Sequence, residues 1–241
     1  MIYVTVLTCN RCEKMERLAR EMNRLSSLGE NAYDQDVSLL ILDNGSTDGT
    51  FDMLTQMYGN YWSKVTLVRS DTNTGIIEGH QIQVDWLLAN GMKRDDIVVF
   101  LDDDVTPLEN GWLYNLIAPI LLDPKTVAIT GCYAAMLQPD WSGYLLPNPE
   151  TPGPVHVVNQ SHTAVAAHLF LDGFRFDKKL GRVWHEDLDL CSYARAHGYV
   201  VFFVGTAISI GLMHDNHHKT TDADYFKNFE YVRSKWQGII G

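Results

Sequence analysis

Val37-Ser38-Leu39-Leu40-Ile41-Leu42, broken off by Asp43-Asn44-Gly45-Ser46-Thr47-Asp48, is the stretch on which the fold turns. An apolar run of strand length with no polar face reads as a strand buried on both sides, as in parallel sheets. The polar turn leads into Phe51, Leu54 and Met57 at helical spacing, with Thr47 or Asp48 available as the cap. The same alternation repeats outward. Ile2–Thr8 reads as a strand, and Cys12 to Leu25 as a helix with apolar Met15, Leu18, Ala19, Met22 and Leu25. Val65–Val68 and then Gly75–Leu88 repeat the pair, and Ile97–Leu101 gives a fourth strand that ends abruptly in acid. Strands alternating with helices at this spacing predict a parallel sheet with helices on both faces.

The second half is less regular. A helix is expected near Glu109–Leu121, then a strand at Val127–Cys132. Pro139, Pro147, Pro149, Pro152 and Pro154, with Gly143 and Gly153, read as a surface loop. Strands are expected near Val155–Val158 and Ala164–Leu171, a helix at Glu186–His197, a strand pair within Val200–Leu212, and a last helix from Asp222 to Trp236. No internal repeat or linker interrupts the chain. The expectation is a single α/β domain over 1–241, with residues 1–105 and 106–241 as its two functional halves.

Composition excludes several functions. The 241 residues carry 19 Lys and Arg against 30 Asp and Glu, a net charge of −11. Nucleic-acid backbones and anionic membranes are bound through clustered cations, so no nucleic-acid partner is expected. With 46% hydrophobic residues the chain can bury a full core. No run approaches the ~18 apolar residues of a transmembrane segment. The first residues lack the basic start and apolar core of a signal peptide, which leads to the expectation of a cytoplasmic protein. Cys9, Cys12, Cys132 and Cys191 are too sparse for a disulfide scaffold. The Cys9-x-x-Cys12 pair, with no second pair to complete a zinc site, reads as two reduced thiols.

Ligands of open parallel sheets bind beyond the carboxyl ends of the strands. Three such ends here are polar: Thr8-Cys9-Asn10-Arg11, Asp43 to Asp48, and Asp102-Asp103-Asp104. A turn with a helix cap would account for Asp43 to Asp48. Three consecutive aspartates repel one another unless a cation neutralises them, and oxygen ligands suit Mg²⁺ or Mn²⁺ bridging to a phosphate. An acidic protein can therefore accept an anionic nucleotide through a divalent metal.

These motifs, in this order, resemble the family 2 glycosyltransferases, which have the GT-A fold. The resemblance is carried by Thr8-x-Asn10-Arg11, by Leu42-Asp43-Asn44-Gly45-Ser46-Thr47-Asp48-Gly49-Thr50, by Asn73-x-Gly75, by Asp102-Asp103-Asp104 as an Asp-x-Asp motif, and by His185-Glu186-Asp187 with Gly198-Tyr199 behind it. It implies a Rossmann-like, mostly parallel central sheet flanked by helices, with a smaller mixed sheet on the acceptor side.

The resemblance also implies roles. Asp43 would accept a hydrogen bond from the nucleotide base, most naturally the ring N–H of uracil, with Thr8, Asn10 and Arg11 lining the base and ribose pocket. Asn44, Asn73, Gly75, Asp103 and Glu186 would also be substrate-binding. Asp102 would face the ribose or the metal, and Asp104 would ligate it. Asp187 would be the general base toward the acceptor hydroxyl, giving inversion. The implied activity is a metal-dependent hexosyl transfer from a nucleotide-sugar, a UDP-sugar first, to a saccharide or other hydroxyl acceptor. A binding module without turnover, or a sugar-phosphate nucleotidylyltransferase, would share the sheet and the acidic site. The second also requires a Gly-rich loop with Arg and Lys, which Thr8–Lys14 does not supply.

Two departures from the family pattern concern the donor phosphates and the sugar. Tyr193 stands where an arginine often follows the Glu-Asp motif, and Gly79-His80-Gln81 replaces Ala-Arg-Asn. Trp184 can serve either as an apolar platform under a sugar or as an ordinary core tryptophan. Among His214, His217 and His218, His214 is the first candidate for a metal ligand, since it directly follows the apolar run 208–213. Thr220–Asp224 reads as a connection able to order over bound donor.

Overall fold

The computed structural model describes residues 1–27, 37–57, 64–107, 111–138, 140–142, 144–145, 151–205, 209–211 and 222–240. His214, His217 and His218, Thr220 and Thr221 of the expected connection Thr220–Asp224, Glu109, and Pro139, Gly143, Pro147 and Pro149 lie outside these residues. The chain runs β1 (Ile2–Thr8), α1 (Cys12–Ser27), β2 (Val37–Asn44), α2 (Thr50–Met57), β3 (Val65–Ser70), α3 (Ile76–Ala89) and β4 (Ile97–Asp102). All seven elements match the expected alternation. Next come β5 (Val105–Pro107), α4 (Trp112–Leu122), β6 (Val127–Gly131), β7 (Ala134–Leu137), β8 (Tyr144–Leu145), β9 (Gly153–Val155), β10 (Val157–Val158) and β11 (His162–Ala166). Then follow α5 (His168–Leu171), a 3₁₀ turn (Lys178–Leu180), α6 (Glu186–Ala196), β12 (Val200–Phe203), β13 (Ser209–Gly211) and α7 (Asp222–Trp236).

Eight strands form the central sheet in the order β3-β2-β1-β4-β11-β6-β12-β9. Pairing is parallel from β3 through β4, and only β11 and β9 run against the common direction. β4, between β1 and β11, is buried from Ile97 to Leu101 because both faces are covered. Phe100 anchors one face, packing against His80, Phe170 and Phe176 at ring-centroid distances of 5.0, 6.2 and 5.8 Å. Edge strand β3 is only half-buried and ends in the polar pair Arg69-Ser70. A smaller antiparallel sheet, β10-β7-β8, lies beside the central one, and β13 pairs with β5.

Three expectations of the second half change. The strand expected over Ala164–Leu171 stops at Ala166, opposite Ile97, where β4 begins and the ladder ends. The Ala167 N–H then donates to the Asp96 carbonyl, and His168–Leu171 turns into a helix. The strand expected over Val155–Val158 is split at His156 between two sheets: β9 joins β12, and β10 joins β7. Pro154 thus lies in an edge strand instead of a loop, a position that tolerates a residue without an N–H donor. The strands within Val200–Leu212 do not pair with each other: β12 joins the central sheet and β13 joins β5. None of the four cysteines forms a disulfide.

Candidate active site

The carboxyl ends of β1, β2, β3 and β4 meet at one edge, and the loops there are sewn together by their own side chains. At the end of β1, the Thr8 hydroxyl donates to Asp103 at 2.7 Å. Asn10 takes a left-handed φ of 56°. That bend lets its N–H reach Ser46 Oγ at 2.8 Å and its side chain accept from the Thr47 N–H at 2.7 Å. The Arg11 N–H donates to Thr50 Oγ1 at 3.0 Å. Asp48 caps α2 through the Thr50 N–H at 3.0 Å, which selects it over Thr47. Gly45, at φ 76°, is required by space as well: a Cβ there would sit 2.5 Å from the Thr72 backbone.

Asp43 is 0% exposed, and neither carboxylate oxygen has a hydrogen-bond partner. Its counter-charge is Arg69, directly opposite on β3, with Nε 3.2 Å from Oδ2. The proximity is that of an ion pair without hydrogen-bond alignment. Arg69 is held in turn by the Ser46 carbonyl at 3.0 Å and by the Phe51 ring, 4.3 Å below its guanidinium carbon. Asn44 receives the Thr74 N–H and donates to the Gly75 carbonyl, at 3.0 and 3.1 Å, so it shapes the turn through residues 73–75. Asn73 donates to Cys9 Sγ at 3.1 Å and accepts the Arg182 guanidinium on its carbonyl and side-chain oxygens at 3.0 and 2.8 Å. Gly75 permits that approach, because a Cβ at its φ of 90° would stand 2.9 Å from Arg182 Cβ and carbonyl oxygen. The Ile76 N–H closes the seam on the Arg182 carbonyl at 2.8 Å.

Asp102, Asp103 and Asp104 follow β4, and the Asp102 N–H is fixed on the Ser161 carbonyl at 3.0 Å. Burial pushes Asp102 up to about 7, with Asp104 and Asp103 adding to the shift, Arg11 opposing it and Asp187 adding further. Burial likewise raises Asp103 to about 6, against the Thr8 hydrogen bond and Arg11. Asp104 is buried with Lys14 Nζ 4.0 Å away. Among the described residues, no three His, Cys, Asp or Glu side chains form a ready-made metal cage.

Glu186 and Asp187 open α6. The preceding residues Trp184 and His185 both take left-handed φ, 78° and 69°, a conformation costly for side chains of this size. Asn228 of α7 holds the bend by donating to the carbonyls of Leu180 at 2.7 Å and Val183 at 3.0 Å. α7 is fixed to α6 where the Trp236 indole and Lys235 donate to Asp189 at 2.6 and 2.9 Å. Burial raises Glu186 and Asp187; Asp187 raises Glu186 further, and the Leu188 N–H, 2.7 Å from Asp187 Oδ1, opposes the shift of Asp187. Trp184 is 40% exposed and not a core residue. Its ring lies 5.7 Å from Tyr225, which packs 4.4 Å from His185, and the Tyr144 hydroxyl is 3.5 Å from His185 Nδ1. An aromatic wall thus stands beside Asp187.

Thr8, Asn10, Arg11, Asp43, Asn44, Asn73, Gly75 and Asp102 to Asp104 therefore share one edge, and the Asp187 charge acts on Asp102. Sequence reasoning did not single out Arg69, Arg182, Asn228, Tyr144 or Tyr225. Arg69, closing an apolar run as Asp43 does, was the one with a local signal.

The sequence profile described as Glycosyl transferase family 2 matches residues 3–149. A search of curated proteins found no significant match. Among solved structures, TarS of S. aureus is similar over 97% of this chain and 39% of its own, with TM-score 0.69 and 13% identity. The mannosyltransferase PcManGT from Pyrobaculum calidifontis, in complex with GDP-Man and Mn²⁺, is similar over 90% of this chain and 58% of its own, with TM-score 0.63 and 17% identity. GalNAc-T7, with UDP, GalNAc and Mn²⁺, is similar over 99% of this chain and 49% of its own, with TM-score 0.73 and 12% identity. The chain thus spans about 39 to 58% of the length of these proteins. At these identities the likeness establishes the fold, which is GT-A. Among the described residues, no helix is long and apolar enough to cross a membrane.

Proposed function

Because the chain belongs to glycosyl transferase family 2, we propose that it transfers a sugar from a nucleotide-sugar, foremost a UDP-sugar, to an acceptor hydroxyl with inversion, in a metal-dependent reaction. One observation carries the reading. Carboxylates from two distant segments, Asp102 on one side and Glu186-Asp187 on the other, meet at the carboxyl edge of the sheet, where burial and repulsion raise the pKa values of Asp102 and Glu186. Such a concentration of acid is relieved by a cation. The nucleotides and Mn²⁺ bound by PcManGT and GalNAc-T7 support the same chemistry.

Asp102 and Asp104, with His214 outside the described residues, are the groups that would hold Mn²⁺ or Mg²⁺. When bound, such an ion neutralises the departing diphosphate as a Lewis acid. Asp43 would receive the ring N–H of the base on its unsatisfied carboxylate, with Thr8, Asn10 and Arg11 around base and ribose. Asp187 would accept the proton of the acceptor hydroxyl, an effect worth ~10²–10⁴ in rate. The Leu188 N–H fixes one of its oxygens and leaves the other for the acceptor. Trp184 and Tyr225 would offer their faces to an acceptor sugar ring. Residues 1–105 would serve as the donor half and 106–241 as the acceptor half of one domain.

Calorimetry with Mn²⁺ and UDP, UDP-GlcNAc and GDP-Man, coupled to an assay for nucleotide release, tests the reading. Asp104→Asn is expected to abolish Mn²⁺-dependent UDP binding, and unchanged affinity would remove it from the metal site. Binding without turnover across a broad acceptor panel would favour a silent binding module instead.

A further inference from the structure

The turn leading into β11 carries polar groups that the protein leaves unsatisfied. Gln160 is 4% exposed and His162 0%, yet neither amide atom of Gln160 nor Nε2 of His162 has a hydrogen-bond partner. A buried polar atom without a partner is destabilising, so apolar residues of similar shape would stabilise the ligand-free protein. Buried groups retained against that penalty point to a ligand that completes them.

Their position says which ligand. Ser161, between the two, accepts the Asp102 N–H at 3.0 Å. His162 stands opposite Leu101 in the ladder, one residue before Asp102. The turn is cross-braced: the Ser161 N–H donates to Asn159 Oδ1 at 2.9 Å, Thr163 Oγ1 to the Asn159 carbonyl at 2.6 Å, the Asn159 N–H to the Tyr133 carbonyl at 2.8 Å, and His162 Nδ1 lies 3.4 Å from Ser161 Oγ. Burial keeps the His162 ring neutral, with a pKa near 3, so it presents no charge to attract an anion. An amide that donates and accepts, beside a neutral imidazole, matches the hydroxyl or acetamido groups of a sugar. An apolar ligand would leave all three atoms unpaired.

We propose that Gln160 and His162 form the subsite for the polar substituents of the transferred sugar and determine which sugar the protein accepts. This rests on the nucleotide-sugar reading above, since a sugar attached to a diphosphate held at Asp102 to Asp104 reaches the adjoining turn.

The test uses Gln160→Met and His162→Phe, which keep volume while removing the polar atoms, and Gln160→Asn, which withdraws the amide by one methylene. Calorimetry with Mn²⁺ compares bare UDP and GDP with UDP-GlcNAc, UDP-GalNAc, UDP-glucose and GDP-Man, beside melts of the ligand-free proteins. Bare-nucleotide affinity should stay within about twofold, while affinity for the preferred nucleotide-sugar relative to its nucleotide should fall about tenfold or more in Gln160→Met and His162→Phe. Gln160→Asn should reorder the sugars, and the ligand-free melting temperatures should hold or rise. An unchanged sugar-to-nucleotide ratio in all three variants would overturn the proposal. A fall in melting temperature with that ratio unchanged would assign these atoms to internal water. If the wild-type protein bound none of these ligands, the nucleotide-sugar reading would fail and the subsite with it.

Discussion

Asn228→Ala tests how the loop before α6 is held. The side-chain amide, buried on α7, donates to the Leu180 and Val183 carbonyls at 2.7 and 3.0 Å and reaches the Trp184 carbonyl at 3.4 Å. Deleting it leaves two buried carbonyls without their donor, at ~1–3 kcal/mol each. The same amide restrains the two consecutive left-handed residues, Trp184 and His185, whose strain is of order 1–3 kcal/mol apiece. Part of that strain is released in the variant, which lowers the net cost to about 2–4 kcal/mol. For a chain of this size, that corresponds to a drop of roughly 4–15 °C in melting temperature. The assay is urea unfolding followed by tryptophan fluorescence, run beside donor calorimetry. Donor affinity should stay near wild type, because the proposed base pocket lies on β1 and β2, while turnover falls as Asp187 loses its fixed direction. A stability loss below ~1 kcal/mol would refute the claim that Asn228 holds the bend.

Arg69→Met strands the Asp43 carboxylate. A fully buried pair costs ~3–5 kcal/mol when broken, but Arg69 is 46% exposed and solvent screens it, so about 1–3 kcal/mol is expected with weaker UDP binding; unfolding and calorimetry on one preparation would show it, and unchanged values in both would exclude the pairing. His80→Phe gives a pH-dependent result. Burial depresses His80 to about 4, so the stability it permits is complete above the unfolded value near 6.5 and is lost as pH falls toward 4. The variant should therefore be less stable than wild type at pH 8, having lost the 3.0 Å contact with Gln83, and the gap should narrow by ~2–3 kcal/mol between pH 6.5 and 4. A pH-independent gap in urea unfolding would mean that the His80 ring titrates normally.

Much of the first 105 residues was legible because the inner strands β1, β2 and β4 are buried on both faces. Val37 to Leu42 and Ile97 to Leu101 carry one uninterrupted signal, and their polar ends mark the edge where ligands bind. The second half hides its pairing in strands too short for a period to show. Tyr144–Leu145 and Val157–Val158 are two residues each, and the chain changes sheets at the single residue His156. The proposed ligand contacts stand in local motifs, as Asp43 and Asp102 do. Residues that hold them do not: Arg182 lies 109 positions from Asn73, and Asn228 reaches back 48 to Leu180. Arg69 meets Asp43 only once β2 and β3 are laid in register.

Asp187→Asn tests the central claim most directly, because it alters charge at the proposed base and little else. With Mn²⁺ and a nucleotide-sugar that the wild-type protein turns over, single-turnover kinetics should show donor affinity preserved and the transfer step slowed ~10²–10⁴-fold. Transfer at a near-normal rate would contradict the assignment of Asp187 as the base.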